Sequence, residues 1–219
     1  MDIGYEVIRS RRNLAPKKGE LAPDFDLSMA DGENRYRLYE LCQKKPVILI
    51  FGSWGCDIFR ETLAGWQELY DKYHEQAQFV FVYIREAHPI EYVNARALGR
   101  ANDPKTLEQR KETARACQKQ LRLPFLMLVD EIDDPCAVRW GAWPVRTFMV
   151  ETDLAVSYAG SQGPWGFRPY RGYVHGSGKQ HEEDAGYDWD TLEEHLERRF
   201  ATNHSTRQES ASSGNPASR

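Results

Sequence analysis

The chain has 219 residues, 41% of them hydrophobic and 12% aromatic, enough for one well-cored domain with short arms. A formal net charge of −4 gives no basic signature and argues against nucleic acid as a main partner. No apolar run approaches the ~18 residues of a membrane span, and the start, Met1 to Glu6, has no basic segment leading into an apolar one, so neither membrane insertion nor a secretory leader is expected.

Residues 1–20 carry Arg9, Arg11, Arg12, Lys17 and Lys18 and read as a basic, solvated N-terminal arm. The domain is expected over 21–200. Leu21 to Leu27, the turn at Asp31-Gly32 and Tyr36 to Leu38 suit a short hairpin, with one helical turn over Leu38 to Cys42. Val47 to Phe51 is an unbroken apolar run of strand length, covered on both faces. After Gly52-Ser53-Trp54-Gly55-Cys56 the period changes. Phe59, Leu63, Trp66, Tyr70 and Tyr73 recur at steps of three and four, which predicts a helix over 58–75.

Phe79 to Ile84 is a second apolar strand, completing a βαβ unit whose strands should be parallel. Chemistry in such sheets collects beyond the carboxyl ends of the strands. Cys56 lies beyond the end of the first, and Arg85-Glu86-Ala87-His88-Pro89 beyond the end of the second. A helix over Thr106 to Arg122 leads to a third strand at Phe125 to Val129. A turn at Asp133 to Cys136 then leads to an antiparallel hairpin, Val145 to Val150 with Leu154 to Ala159. Residues 160–187 form a Gly- and aromatic-rich loop whose rings need burial and which is read as partly walling a pocket; His175 and His181 lie in its polar part without an assigned role. The last helix carries Leu192, Leu196 and Phe200 on one stripe, with an N-cap box from Asp190 to Glu193. Residues 201–219 are polar and expected to be disordered.

Four cysteines, Cys42, Cys56, Cys117 and Cys136, form no Cys-x-x-Cys pair and no zinc spacing, and are too sparse for a disulfide scaffold. A reducing cytoplasm fits, and no metal is expected. Cys56, in a Gly-rich strand-to-helix turn at a helix N-terminus, is the expected nucleophile, with a lowered pKa because the helix end favours a thiolate. Arg85, Arg60 and Arg146 are its candidate cations. His88 is the candidate general acid, since imidazole titrates near neutrality, and Glu86 the residue that would orient it. Trp54 and Trp165 are candidate stacking surfaces for an aromatic substrate.

The order βαβ, helix, strand, hairpin, helix gives a mixed sheet with helices on both faces, an α/β thioredoxin-like arrangement; Leu21-Ala22-Pro23-Asp24-Phe25 with Phe51-Gly52-Ser53-x-x-Cys56 is similar to the redoxin and peroxiredoxin branch. Three blocks resemble the iodothyronine deiodinases more closely: Phe51 to Phe59, Val82 to Pro89 with its Glu-Ala-His-Pro tail, and Tyr158 to Phe167. The resemblance implies a sulfur nucleophile that attacks iodine and is reset by an external thiol reductant such as thioredoxin, glutathione or a similar dithiol, with no bound cofactor. It places Cys56 where those enzymes carry selenocysteine, and Glu86 and His88 in the pocket; Gly55, Arg85 and Arg146 are further candidate pocket residues. Trp54 stands where several members have a cysteine, and Arg85 where they have an acidic residue. By analogy with the fold, Pro144 is a candidate cis proline against the sulfur. Cys136 is the candidate internal resolving thiol. A small iodinated aromatic or a peroxide is the implied substrate, and a homodimer stays open. Two other readings remain: a thiol peroxidase, although Ser53, Trp54 and Gly55 stand where peroxiredoxins carry proline and Thr/Ser, and a non-enzymatic redox-sensor or interaction module.

Overall fold

The computed structural model describes residues 14–91, 99–163, 166–173 and 186–201. The expectations for the arm over 1–13, for Trp165, His175 and His181, and for the tail beyond residue 201 lie outside the described residues.

Strand β3, Val47–Gly52, is buried along its whole length. It runs parallel to β4, Gln78–Tyr83, with Val47 opposite Gln78 and Gly52 opposite Tyr83. The crossover contains α2, Asp57–Glu61, and α3, Leu63–Tyr73. β5, Leu126–Val129, follows α4, Leu107–Leu121, and lies parallel to β4. β6, Arg146–Val150, returns antiparallel to β3, and β7, Val156–Ala159, closes the expected hairpin. At the other edge β1, Asp26–Met29, and β2, Arg35–Arg37, form an antiparallel pair followed by α1, Leu38–Leu41. The seven-stranded order is β2-β1-β5-β4-β3-β6-β7. This is the thioredoxin-like mixed sheet, with the strand that leads to Cys56 in its interior.

Strand alternation divides the core into two layers. Ile48, Ile50, Phe79, Phe81, Tyr83, Met127 and Val129 face one side, where Trp66 and Leu69 of α3, Ala114 and Cys117 of α4, and Leu192, Leu196 and Phe200 of α6 (residues 192–201) cover them. Val47, Leu49, Phe51, Val80, Val82, Leu128 and Phe148 face the other side, under α1 and α5, Pro135–Arg139. Cys56 belongs to the first layer.

Several local expectations are corrected. The single helix over 58–75 is broken at Thr62, whose backbone sits at φ −94°, ψ 4°. The Thr62 hydroxyl and N–H both donate back to the Phe59 carbonyl, at 2.8 and 3.2 Å, tightening the turn out of α geometry. The turn at Asp133 to Cys136 opens instead into α5. Its Pro135 start needs no N–H partner, and the buried Asp130 carboxylate accepts from the N–H groups of Cys136 and Ala137, at 3.1 and 2.8 Å. The capping box of α6 forms one residue later than expected: Thr191 Oγ1 accepts from Glu194 N–H at 3.1 Å and Glu194 Oε2 from Thr191 N–H at 2.8 Å. Residues 14–20 expose Lys17 and Lys18 but dock their backbone on the sheet. Gly19 N–H donates to Val156 O at 2.8 Å, and Val156 N–H to Glu20 O at 2.9 Å, so this segment covers the edge of β7. Ala15 is buried under Tyr187, whose hydroxyl donates to its carbonyl.

Candidate active site

Cys56 is the N-cap of α2 and follows the carboxyl end of β3. Its N–H donates to Ser53 O at 3.2 Å, closing the turn, and its carbonyl accepts from Arg60 N–H at 3.2 Å. The thiol is 1% exposed. Burial pushes its pKa up to about 12, against the pull of the Phe59 N–H and, more weakly, of Arg60; Asp57 and Glu86 push the same way as burial. The expected lowering is therefore not met. A single helical turn supplies too little positive field to offset complete desolvation of a thiolate.

The carboxyl end of β4 holds this turn in place. Glu86 is 1% exposed and aims its carboxylate at the backbone that carries Cys56. Oε2 accepts from Gly55 N–H at 2.6 Å, and Oε1 accepts from the Tyr83 hydroxyl. Tyr83 Oη in turn accepts from Trp54 N–H at 3.2 Å. Ser53 Oγ accepts from Ala87 N–H at 3.1 Å, tying the two loops together from the other side. Gly55 is glycine for a steric reason: a Cβ there would stand 2.7 Å from Glu86 Oε2, 3.0 Å from His88 O and 3.2 Å from His88 N. Burial raises Glu86 to about 7, although the bonds from Tyr83, Gly55 and Ser53 favour its ionised form. A carboxyl group poised near neutrality thus faces the turn that presents the sulfur.

The two strand ends bring several expected residues together. His88 is half-exposed and its Nε2 stands 3.5 Å from Asp57 Oδ1, beside the thiol in sequence. Glu86 orients the Cys56 turn and not His88, because its carboxylate is taken up by Gly55 and Tyr83. Trp54 is partly buried against the layer that holds Cys56, and its carbonyl accepts from Arg60. Of the three candidate cations, Arg60 is the one whose charge favours the Cys56 thiolate. Arg85 turns outward to Asp103, at 3.5 Å. The Trp143–Pro144 peptide is cis, two residues before Arg146, which pairs with Phe51 at the same end of β3 as Cys56.

Two expected residues are not brought to the sulfur. Arg146 shares strand parity with Phe148, so its side chain enters the opposite layer; there it donates to Gly160 O and Gly141 O, at 2.8 and 3.1 Å, and stacks on Tyr187 at 4.1 Å. Cys136 sits on α5 in that same opposite layer, and burial pushes its thiol well up. Cys42 is also there, at the amino end of β3. Sequence reasoning missed Tyr83, Ser53 and Asp57. Tyr83 had a signal: a hydroxyl ending an otherwise apolar strand needs a partner, and Glu86 is three residues on.

The chain is similar to known proteins. The family model described as iodothyronine deiodinase matches residues 5–172. The thyroxine 5-deiodinase of Sparus aurata is 32% identical over 154 residues, covering 68% of this chain and 56% of that protein. The thyroxine 5-deiodinase of Gallus gallus is 28% identical over 152 residues, covering 68% and 58%. The chain thus matches a little over half the length of these relatives. Among solved structures, an uncharacterized conserved protein from Geobacillus kaustophilus superposes with a TM-score of 0.53 at 17% identity, covering 77% of each chain, which shows a shared fold. No helix among the described residues is long and apolar enough to cross a membrane. With the family match running through the Cys56 turn, the Glu86–His88 block and the glycine-rich segment after β7, the chain belongs to the iodothyronine deiodinase family.

Proposed function

We propose that this protein is a thiol-dependent oxidoreductase that removes iodine reductively from a small iodinated aromatic. The observation that carries the reading is the Cys56 sulfur at the carboxyl end of β3, held by the Gly55–Glu86–Tyr83 network beside Arg60, in a chain of deiodinase-family sequence. In the proposed step the Cys56 thiolate attacks iodine, the carbon–iodine bond breaks, and its electron pair stays on the carbon. His88, next to Asp57, delivers the proton that turns this carbon into C–H. The products are dehalogenated arene and a sulfenyl iodide. A first external thiol displaces iodide to form a mixed disulfide, and a second thiol restores Cys56, so two thiols are oxidised to one disulfide per iodine removed.

The placement of Cys136, the candidate resolving thiol, and of Cys42 in the opposite layer supports an external reductant, thioredoxin-like or glutathione-like; Cys117 shares the layer of Cys56 but is fully buried, and burial pushes its thiol up. Four unpaired cysteines support a reducing compartment such as the cytoplasm. The test is iodide release from 2-iodophenol under excess dithiol, with Cys56→Ser as blank. Release by the wild type and none by the variant is the expected result. Equal release by both, or none by either, overturns the reading.

A further inference from the structure

Cys56 is 1% exposed, so a reagent reaches its sulfur only when what covers it moves. Residues 166–173 pack on the same core layer as Cys56, with Phe167 inside it, and run from Gly65 of α3 to Glu61 of α2. The strap is firmly anchored at two points. The Tyr170 ring lies flat on α3, so close that a Cβ on Gly65 would meet its Cε1 at 2.0 Å. Arg171 N–H donates to Glu193 Oε2 at 2.9 Å, and its guanidinium pairs with Glu197, both on α6. Gly172 follows at φ +82°, a backbone that glycine adopts without strain, with open space where a Cβ would be.

Tyr173 comes next. Its half-buried ring packs against the layer that contains Cys56. Among the described residues its hydroxyl is tethered by a 3.4 Å bond to Glu61 Oε2 at the end of α2, among exposed groups. Tyr173 thus bonds the far end of the helix whose N-cap is Cys56 and shares its core layer, and burial raises the Tyr173 phenol pKa. The deiodinase-family match ends at residue 172, so Tyr173 stands one residue beyond it.

We propose that Tyr173 is a specificity-determining residue of the Cys56 site: its ring fills the place beside the sulfur that a substrate ring takes, and a flat aromatic guest enters by swinging it out about Gly172. The proposal rests on the reading of Cys56 as nucleophile, but not on any particular leaving group. The favoured guest has an aromatic ring of phenol size, because it inherits the surface vacated by a phenol.

The test is the initial rate of Cys56 alkylation by iodoacetamide and by the bulkier N-benzyl iodoacetamide, with the site of labelling read from the peptide mass and Cys56→Ser as blank. Tyr173→Ala should raise the iodoacetamide rate about tenfold, because the accessible fraction rises, and raise the benzyl rate by a larger factor. Tyr173→Phe keeps the ring but loses the hydroxyl tether, so it should give a small acceleration only, well below that of Tyr173→Ala. Glu61→Gln, which weakens the tether and leaves the packing, should give a smaller acceleration and serves where Tyr173→Ala fails to fold. Wild-type rates in folded Tyr173→Ala, or in Glu61→Gln if that variant alone folds, overturn the proposal, as does an equal gain for both probes. Alkylation needs neither reductant nor iodinated substrate. A failure of iodide release with the gating result intact therefore strikes the proposed function alone.

Discussion

Glu86→Gln is the most informative substitution because it replaces a buried acid by its neutral isostere at the centre of the Cys56 support. In the folded protein the carboxyl titrates at about 7, against an ordinary 4.5. Between those values the native state holds a proton that the unfolded chain has released. Stability from this group is therefore complete below about pH 4.5 and falls as pH rises towards 7. The gap corresponds to a loss of about 3 kcal/mol. Asp130, raised by burial from 3.8 to about 6, acts in the same direction, so the single-protein profile mixes the two. The difference between wild type and Glu86→Gln isolates Glu86.

Urea denaturation of both proteins at several pH values from 4.5 to 8 is the assay. Near pH 4.5 the two should agree to within about 1–2 kcal/mol, the scale of one rearranged buried hydrogen bond with Tyr83 or Gly55. By pH 8 the variant should have gained about 3 kcal/mol on the wild type. A stability difference that stays constant across this range refutes the assignment of a buried, neutral-pH titration to Glu86. The same variant offers an independent readout. The Glu86 charge raises the Cys56 thiol, so its removal should move the alkylation profile of Cys56 to lower pH.

Gly55→Ala puts a methyl group 2.7 Å from Glu86 Oε2 and 3.0 Å from the His88 carbonyl, which should break the 2.6 Å bond and cost about 1–3 kcal/mol in melting or urea experiments; unchanged stability would mean the turn is free to shift. Arg60→Met removes the cation that favours the thiolate and the tie to the Trp54 carbonyl, so Cys56 alkylation at pH 8 should slow, and an unchanged rate would exclude Arg60 from thiolate stabilisation. His195 is buried against Tyr158, and its pKa is lowered from 6.5 to about 4, chiefly by desolvation. Its contribution is fully present above pH 6.5 and lost as pH falls towards 4. His195→Leu should therefore resist acid better than wild type by up to about 3 kcal/mol, and parallel acid profiles would count against a buried neutral imidazole.

The sequence by itself determined the central unit and the place of its sulfur. Unbroken apolar runs at Val47–Phe51 and Phe79–Ile84, joined by a helical stripe, admit only a parallel crossover between buried strands, and this puts Cys56 and the Glu86–His88 block at one edge. Composition and local period carry that information because they record which groups must leave water. They do not record direction within the fold. The parity of β6 ties Arg146 to Phe148, but which layer that parity faces was fixed only when β6 paired with β3. Glu86 was visible as an acid near the thiol, yet its choice of Gly55 and Tyr83 over His88 depends on where two loops meet. The thiol pKa went against the sequence reading because a helix N-terminus is legible in sequence, whereas the desolvation that outweighs it comes from the core layer around Cys56, which only tertiary packing brings together.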